Sequence, residues 1–229
     1  MLITDNSILK NLPISVGKKQ ILILDSLRFV LEMIDYSYEN LLVKLTQVSE
    51  NAATRNLPEI FGYAWSIIDN SNRVVSIAKQ LPWEYPDKIL GHLYYVKEFR
   101  NTFQHLDERI DESLLKTQSP FLGVISWADH KFEEKQIELI QIISGNLLHG
   151  PSAKQTFPNI NDCQPGINNI FLHTVNKKGQ TIETDLGILM KNLKKLVIEF
   201  EMRFKDLTPV NWSSRQDIVL RIKQPNQPE

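Results

Sequence analysis

The chain has 229 residues, 42% hydrophobic and 23% charged, an ordinary globular balance with enough length for one sizeable core. Lys plus Arg number 26 and Asp plus Glu 27, a net charge of -1, with a pI of about 6.5; this excludes a protein that coats nucleic acid by bulk charge, so any such contact must be local. The lone cysteine, Cys163, excludes a disulfide framework and a cysteine zinc site. The longest early apolar run, Ile21 to Leu24, is far too short for a signal segment or a membrane span, and the expected compartment is the cytoplasm.

The sequence reads as one domain in three blocks: helical over 18–116, β-rich over 117–184, and helical again over 185–207, followed by a flexible tail at 208–229. In the first block Leu24, Leu27, Leu31, Ile34, Tyr38, Leu41, Leu45 and Val48 recur at steps of three and four, the mark of a long amphipathic helix with one buried stripe. After a polar break at Asn51–Arg55, Asn56 and Glu59 stand at N-cap and N3 spacing with Pro58 in the first turn, which predicts a second helix. Its apolar face is Ile60, Ala64, Ile67, Val74, Ala78 and Leu81, and it stops at Leu81-Pro82. The polar stretch Asp69–Arg73 within it could line a cleft opposite the third helix's Arg–His motif, but reads first as a solvated face. A third helix is expected from about Asp87, carried by Ile89, Leu93, Val96, Phe99, Phe103, Leu106, Ile110 and Leu114.

The middle block changes character. Phe121–Trp127 and Gln136–Ile143 are β-branched and partly alternating, and Ala128–Lys131 reads as their turn. Gly145–Gly166 reads as a loop. Ile167–Val175 is a further strand, turned by Asn176–Gly179 towards Gln180–Thr184. Leu186, Leu189, Leu193, Leu196, Phe200 and Phe204 then predict a fourth long helix over Asp185–Lys205. Asp217–Lys223 reads as a short strand in the tail. The expected architecture is mainly α, of the α+β class: four long helices with a small β insert between the third and fourth.

The third helix carries Phe99-Arg100-Asn101-Thr102-Phe103-Gln104-His105-Leu106-Asp107. Arg100, the polar Asn101 and His105, with four residues between Arg and His, resemble the signature of the HEPN superfamily (higher eukaryotes and prokaryotes nucleotide-binding). The resemblance implies a compact HEPN-like helical bundle, a homodimer whose two motifs face one cleft, and a metal-independent endoribonuclease with Arg100 and His105 as catalytic residues and Asn101 in support. It also implies a toxin-like or defence role with a neutralising or activating protein partner. Some members carry a regulatory Tyr two residues after the His. Asp107 occupies that position, so tyrosine modification is not expected here.

These residue types suit the chemistry. Metal-independent RNA cleavage uses the 2′-hydroxyl as nucleophile, so one group must take its proton and another must protonate the leaving 5′-oxygen. Imidazole titrates near neutrality and serves either role. A guanidinium stays charged and its planar fork matches phosphate oxygens. Geometry is less favourable: on a continuous helix Arg100 and His105 diverge by about 140°. The face expected for His105 also carries Glu98, Glu108, Arg109 and Glu112, which disfavours a polyanion unless the helix bends or ends near His105 or the acids face away from the RNA path. By itself Arg100 reads as an ion-pair partner at a core edge.

The other histidines, His92, His130, His149 and His173, show no metal-ligand spacing, and no metal or cofactor is expected. Lys177-Lys178 read as exposed turn lysines. Tyr94, Tyr95, Trp65 and Trp83 read as packing residues. The expected substrate is RNA, with neither DNA nor membrane as partner. The rival reading is a non-catalytic HEPN-like helical interaction module. Small-molecule or nucleotide binding between bundle and insert is a third.

Overall fold

The structure is a computed structural model, and it describes residues 1–12, 16–82, 86–131, 133–145, 158–159 and 163–204. Helix α1 spans Lys18–Glu50 and α2 spans Leu57–Ala78. The predicted cap of α2 is present: the Asn56 side chain accepts from the Glu59 backbone N–H. The two helices form an antiparallel pair. The predicted stripe is its seam, since Leu24, Leu27, Leu31, Ile34, Leu41 and Leu45 are fully buried against Ile60, Ala64, Ile67, Ile68 and Val74. Each such side chain contributes roughly 1.5–3 kcal/mol of transfer free energy.

The stretch expected as a third long helix is instead a broken path. It runs through α3 (Pro86–Leu90), a 3₁₀ turn (Gly91–Leu93), α4 (Val96–Gln104), α5 (Leu106–Arg109), a π-helical turn (Ile110–Leu114) and α6 (Leu115–Thr117). Of the apolar residues expected on its buried face, Leu93, Val96, Phe99, Leu106 and Leu114 are buried and Ile89 and Phe103 partly so, but Ile110, in the π-helical turn, is exposed. Their spacing requires burial on one side, but it does not require an unbroken backbone ladder.

Four antiparallel strands follow in the order β2-β1-β3-β4: β1 Val124–Lys131, β2 Gln136–Ile143, β3 Gly166–Val175 and β4 Thr181–Asp185. The turn expected at Ala128–Lys131 lies later, because β1 continues through Lys131, paired with Gln136. The polar Asp129 and His130 gave the appearance of a turn. Yet β1 is a central strand, and His130 pairs with Ile137 on one side and Gly166 on the other. Gly123, at φ 87, leads into β1, and a Cβ there would collide with the His173 carbonyl.

Helix α7, Leu186–Phe204, returns to the core with Leu186, Leu189, Leu193, Leu196, Val197 and Phe200 buried. One face of the sheet lies on the helices. Trp127 is buried there and its indole N–H donates to Ser49 Oγ of α1 at 2.9 Å. The first residues, about which the pattern said nothing, also join the core. Leu2, Ile3, Leu9 and Leu12 are buried, and the Leu2 N–H donates to the Asp35 carboxylate at 2.7 Å. Lys194 of α7 donates to the Leu2 carbonyl at 2.9 Å.

The described fold is therefore mixed α+β, mainly helical. No helix among the described residues is long and apolar enough to cross a membrane. The tail strand expected at Asp217–Lys223, the flexible tail and most of the loop expected at Gly145–Gly166 lie outside the described residues.

Candidate functional site

Helix α4 is anchored from one side. Val96, Phe99 and Thr102 are buried, and Phe103 stacks on Trp65 of α2 at 4.7 Å between centroids. Trp65 is fixed in turn, its indole N–H donating to the Leu122 carbonyl at 3.1 Å. Trp65 is therefore a packing residue, as expected.

Arg100 lies beside this contact and reaches α2. Its Nε is 3.7 Å from Asp69 Oδ1, and the side chain is about one-third exposed. Nε itself is shielded from solvent and makes no hydrogen bond among the described residues. Asp69 also accepts from Arg73 Nε at 2.9 Å. The stretch Asp69–Arg73 is thus not simply a solvated face. Asn70 and Ser71 are buried, with Ser71 Oγ donating to the Ile67 carbonyl at 2.7 Å, while Asp69 faces α4. Asn70 and Ser71 find their partners within α2, and only the Asp69–Arg100 contact crosses to another helix.

The backbone breaks at His105, which has φ -117 and ψ 33 and stands between α4 and α5. Thr102 Oγ1 donates back to the Glu98 carbonyl at 3.1 Å, but the same back-bond from Ser71 leaves α2 unbroken, so it does not by itself account for the break. The His105 carbonyl accepts from the Arg109 N–H at 3.0 Å, so helical bonding resumes directly after it. The imidazole is half exposed, with Nδ1 3.3 Å from Glu108 Oε1. Asn101 is half-buried on α4.

The break changes which residues share the His105 surface. Arg109, expected on that exposed face, is buried, and its Nη1 has no hydrogen-bond partner among the described residues. Glu98 is tied to the β3–β4 turn, accepting from Asn176 Nδ2 at 2.9 Å. Glu112 lies 3.3 Å from Lys177 Nζ, so Lys177 is held in an ion pair. Of the acids expected around His105, Glu108 is the one in contact with it. No hydrogen bond or ion pair joins Arg100 to His105. Arg100 is held towards Asp69 and His105 towards Glu108, so within one chain the motif supplies two cationic or titratable groups with separate carboxylate neighbours.

A second polar constellation escaped the sequence reading. Ser126 Oγ lies 2.9 Å from His173 Nε2, and His173 Nδ1 lies 3.4 Å from Glu183 Oε2. Burial pushes the His173 pKa down, and Glu183 opposes this in part. The order Ser–His–Glu is that of a nucleophile relay, but Ser126 is fully buried in a central strand, out of reach of a substrate. Its structural effect is to bridge β1, β3 and β4. Only the strand register, which sets Glu183 opposite His173, could have revealed it. Among the described residues no group of three or more His, Cys, Asp or Glu is placed to hold a metal ion.

No family model, curated protein or solved structure matches the chain.

Proposed function

We propose that the protein is a HEPN-type, metal-independent endoribonuclease acting in the cytoplasm as a homodimer, with the four helical stretches forming a HEPN-like bundle. The reading is carried by one observation: His105 is half exposed at a break in its helix, between α4 and α5. The break removes the fixed divergence of about 140° that a continuous helix would impose on Arg100 and His105. It also turns Arg109 away and leaves the imidazole accessible.

In this mechanism an imidazole takes the proton of the RNA 2′-hydroxyl, and the 2′-oxygen attacks the adjacent phosphorus. The bond to the 5′-oxygen breaks and that oxygen is protonated by the second imidazole, from the other protomer. A 2′,3′-cyclic phosphate and a 5′-hydroxyl result. Arg100 holds the non-bridging oxygens as charge builds on them, which requires its side chain to exchange Asp69 for phosphate. The exposed portion of Arg100 and the long 3.7 Å contact favour that exchange. Asn101 positions the phosphate or the ring. Cleavage of cellular RNA would serve a toxin or defence role, held in check by a neutralising or activating protein.

The test is growth on expression. Wild-type protein is expected to arrest it and His105→Ala to relieve the arrest at equal protein level. Arrest that persists in His105→Ala removes His105 from the activity.

The second reading, a non-catalytic helical interaction module, is favoured by the carboxylates Asp69 and Glu108 standing beside both motif residues. Under it, neither wild type nor variant alters growth.

A further inference from the structure

Helix α1 carries two apolar stripes. The first is the buried seam with α2. The second faces outward: Leu22, Phe29, Met33, Tyr36 and Val43 are between 42% and 69% exposed. Leu22, Phe29, Tyr36 and Val43 follow each other at heptad spacing, with Met33 in an intervening core-type position. The positions equivalent to Met33 in the flanking heptads are Ser26 and Asn40, so the continuous part of the row is Phe29, Met33 and Tyr36; single exposed apolar side chains need no explanation, but such a cluster does. A heptad row is the pattern of one helix that packs along another.

The row is also self-complementary. Read in either direction it runs aliphatic, aromatic, Met, aromatic, aliphatic. The midpoint of Leu22 and Val43 coincides with that of Phe29 and Tyr36, between Glu32 and Met33. We propose that this face binds a second copy of the chain, the two α1 helices crossing antiparallel about a two-fold axis beside Met33. Leu22 of one copy then meets Val43 of the other, and Phe29 meets Tyr36, as an isologous interface requires.

Shape, area and charge agree with this occupant. Phe29, Met33 and Tyr36 line a groove of about 610 Å³ together with Gly62, Tyr63 and Ser66 of α2. Tyr36 and Tyr63 pack edge to face at 6.4 Å, which leaves a stepped apolar floor for the opposite ring. Five side chains of this size, each about half exposed, offer on the order of 500 Å² per chain. Two copies would remove about 1,000 Å², near the lower bound for a specific interface, before the flanks are counted. The acid nearest the axis, Glu32, is already compensated within its own copy by Arg28 Nη1 at 3.0 Å and Lys10 at 3.7 Å. Asp25 is likewise paired with Arg28.

This inference gives the pairing in the proposed function a definite surface. Ser66 of the groove accepts from Asn70 Nδ2, next to the Asp69 that faces Arg100, so the interface ends beside the motif.

The experiment is sedimentation equilibrium of the full chain without RNA, together with cysteine cross-linking. Wild type is expected at twice 26.5 kDa. Phe29→Glu or Tyr36→Lys is expected to raise the dissociation constant by an order of magnitude or more, with an unchanged far-ultraviolet circular dichroism spectrum. Met33→Cys is expected to cross-link with a short bis-maleimide, whereas Leu22→Cys, about 30 Å from its mate across the axis, does not. The native Cys163 is buried, and the wild-type chain serves as its control. A monomeric wild type overturns the proposal, as does a dimer indifferent to both substitutions. Cross-linking at Leu22→Cys and not at Met33→Cys overturns the antiparallel register. A monomer that still cleaves RNA refutes this interface and leaves the activity standing. A dimer of this register without cleavage does the reverse.

Discussion

Helix α1 and the path from Pro86 to Thr117 both carry apolar residues at steps of three and four, yet one is an unbroken helix of 33 residues and the other falls into six pieces. Apolar periodicity reports which side is buried. Continuity depends on the backbone ladder and on what competes with it. Along α1 the residues between stripe positions are mostly good helix formers, and the stripe packs on α2 over most of its length. Along the second path Gly91 opens a 3₁₀ turn, and side chains of the β3–β4 turn hold Glu98 and Glu112. The candidate chemistry sits in the region that could not stay regular, a common place for function to break local rules.

That contrast can be broken or sharpened by substitution. The largest effect is expected at the break: His105→Ala should lower RNA cleavage by about 10²–10⁴-fold while leaving the melting temperature nearly unchanged, because the ring is half exposed. A large loss of stability would instead make the break a structural feature. Next comes the seam. Leu31, fully buried in α1, should cost about 2–5 kcal/mol as Leu31→Ala, measured by urea denaturation. Leu106, which retains some exposure, should cost less as Leu106→Ala. Equal costs would mean that the broken path is packed as tightly as α1.

A smaller effect is expected from pH. Burial lowers the His173 pKa in the folded state, so the unfolded chain binds this proton more readily. Stability from this site is therefore complete above the ordinary histidine value near 6.5 and is lost progressively as pH falls below it. His173→Gln should flatten that part of the stability–pH curve, and a curve of the same slope would remove His173 as its source. Smallest is Arg109→Met. Replacing a buried guanidinium whose Nη1 has no hydrogen bond is expected to be neutral or stabilising by about 1–2 kcal/mol. Strong destabilisation would show that Arg109 is satisfied by contacts other than those described.

Much of the fold was legible because it rests on periodicity. The α1 stripe, the Asn56 cap, β2 over Gln136–Ile143 and the stripe of α7 all follow from local pattern, and the structure has them there. The misses involve partners distant in sequence. Asp129 and His130 read as a turn because nothing local says that β1 is a central strand with neighbours on both sides. A solvated face was the preferred reading of Asp69 over one opposite the motif, because nothing local shows that Arg100 of another helix approaches it. The Ser126–His173–Glu183 bridge depends on strand register, and the burial of Leu2, Ile3 and Leu9 depends on a dock formed by Asp35 and Lys194. Of the candidate site, the motif and the obstacle of helix phase were stated from the sequence, and a bend or end of the helix near His105 was one of the two ways named to relieve its acidic face. The contacts of the β3–β4 turn with Glu98 and Glu112 were not legible, since they come from residues more than sixty positions away.

The central claim is that His105 cleaves RNA without a metal ion, and incubation with mixed RNA in chelator tests it most directly. The account predicts that wild type yields 2′,3′-cyclic phosphate and 5′-hydroxyl ends and that His105→Ala yields none. Intact RNA with wild type, or the same ends at the same rate with His105→Ala, would contradict it.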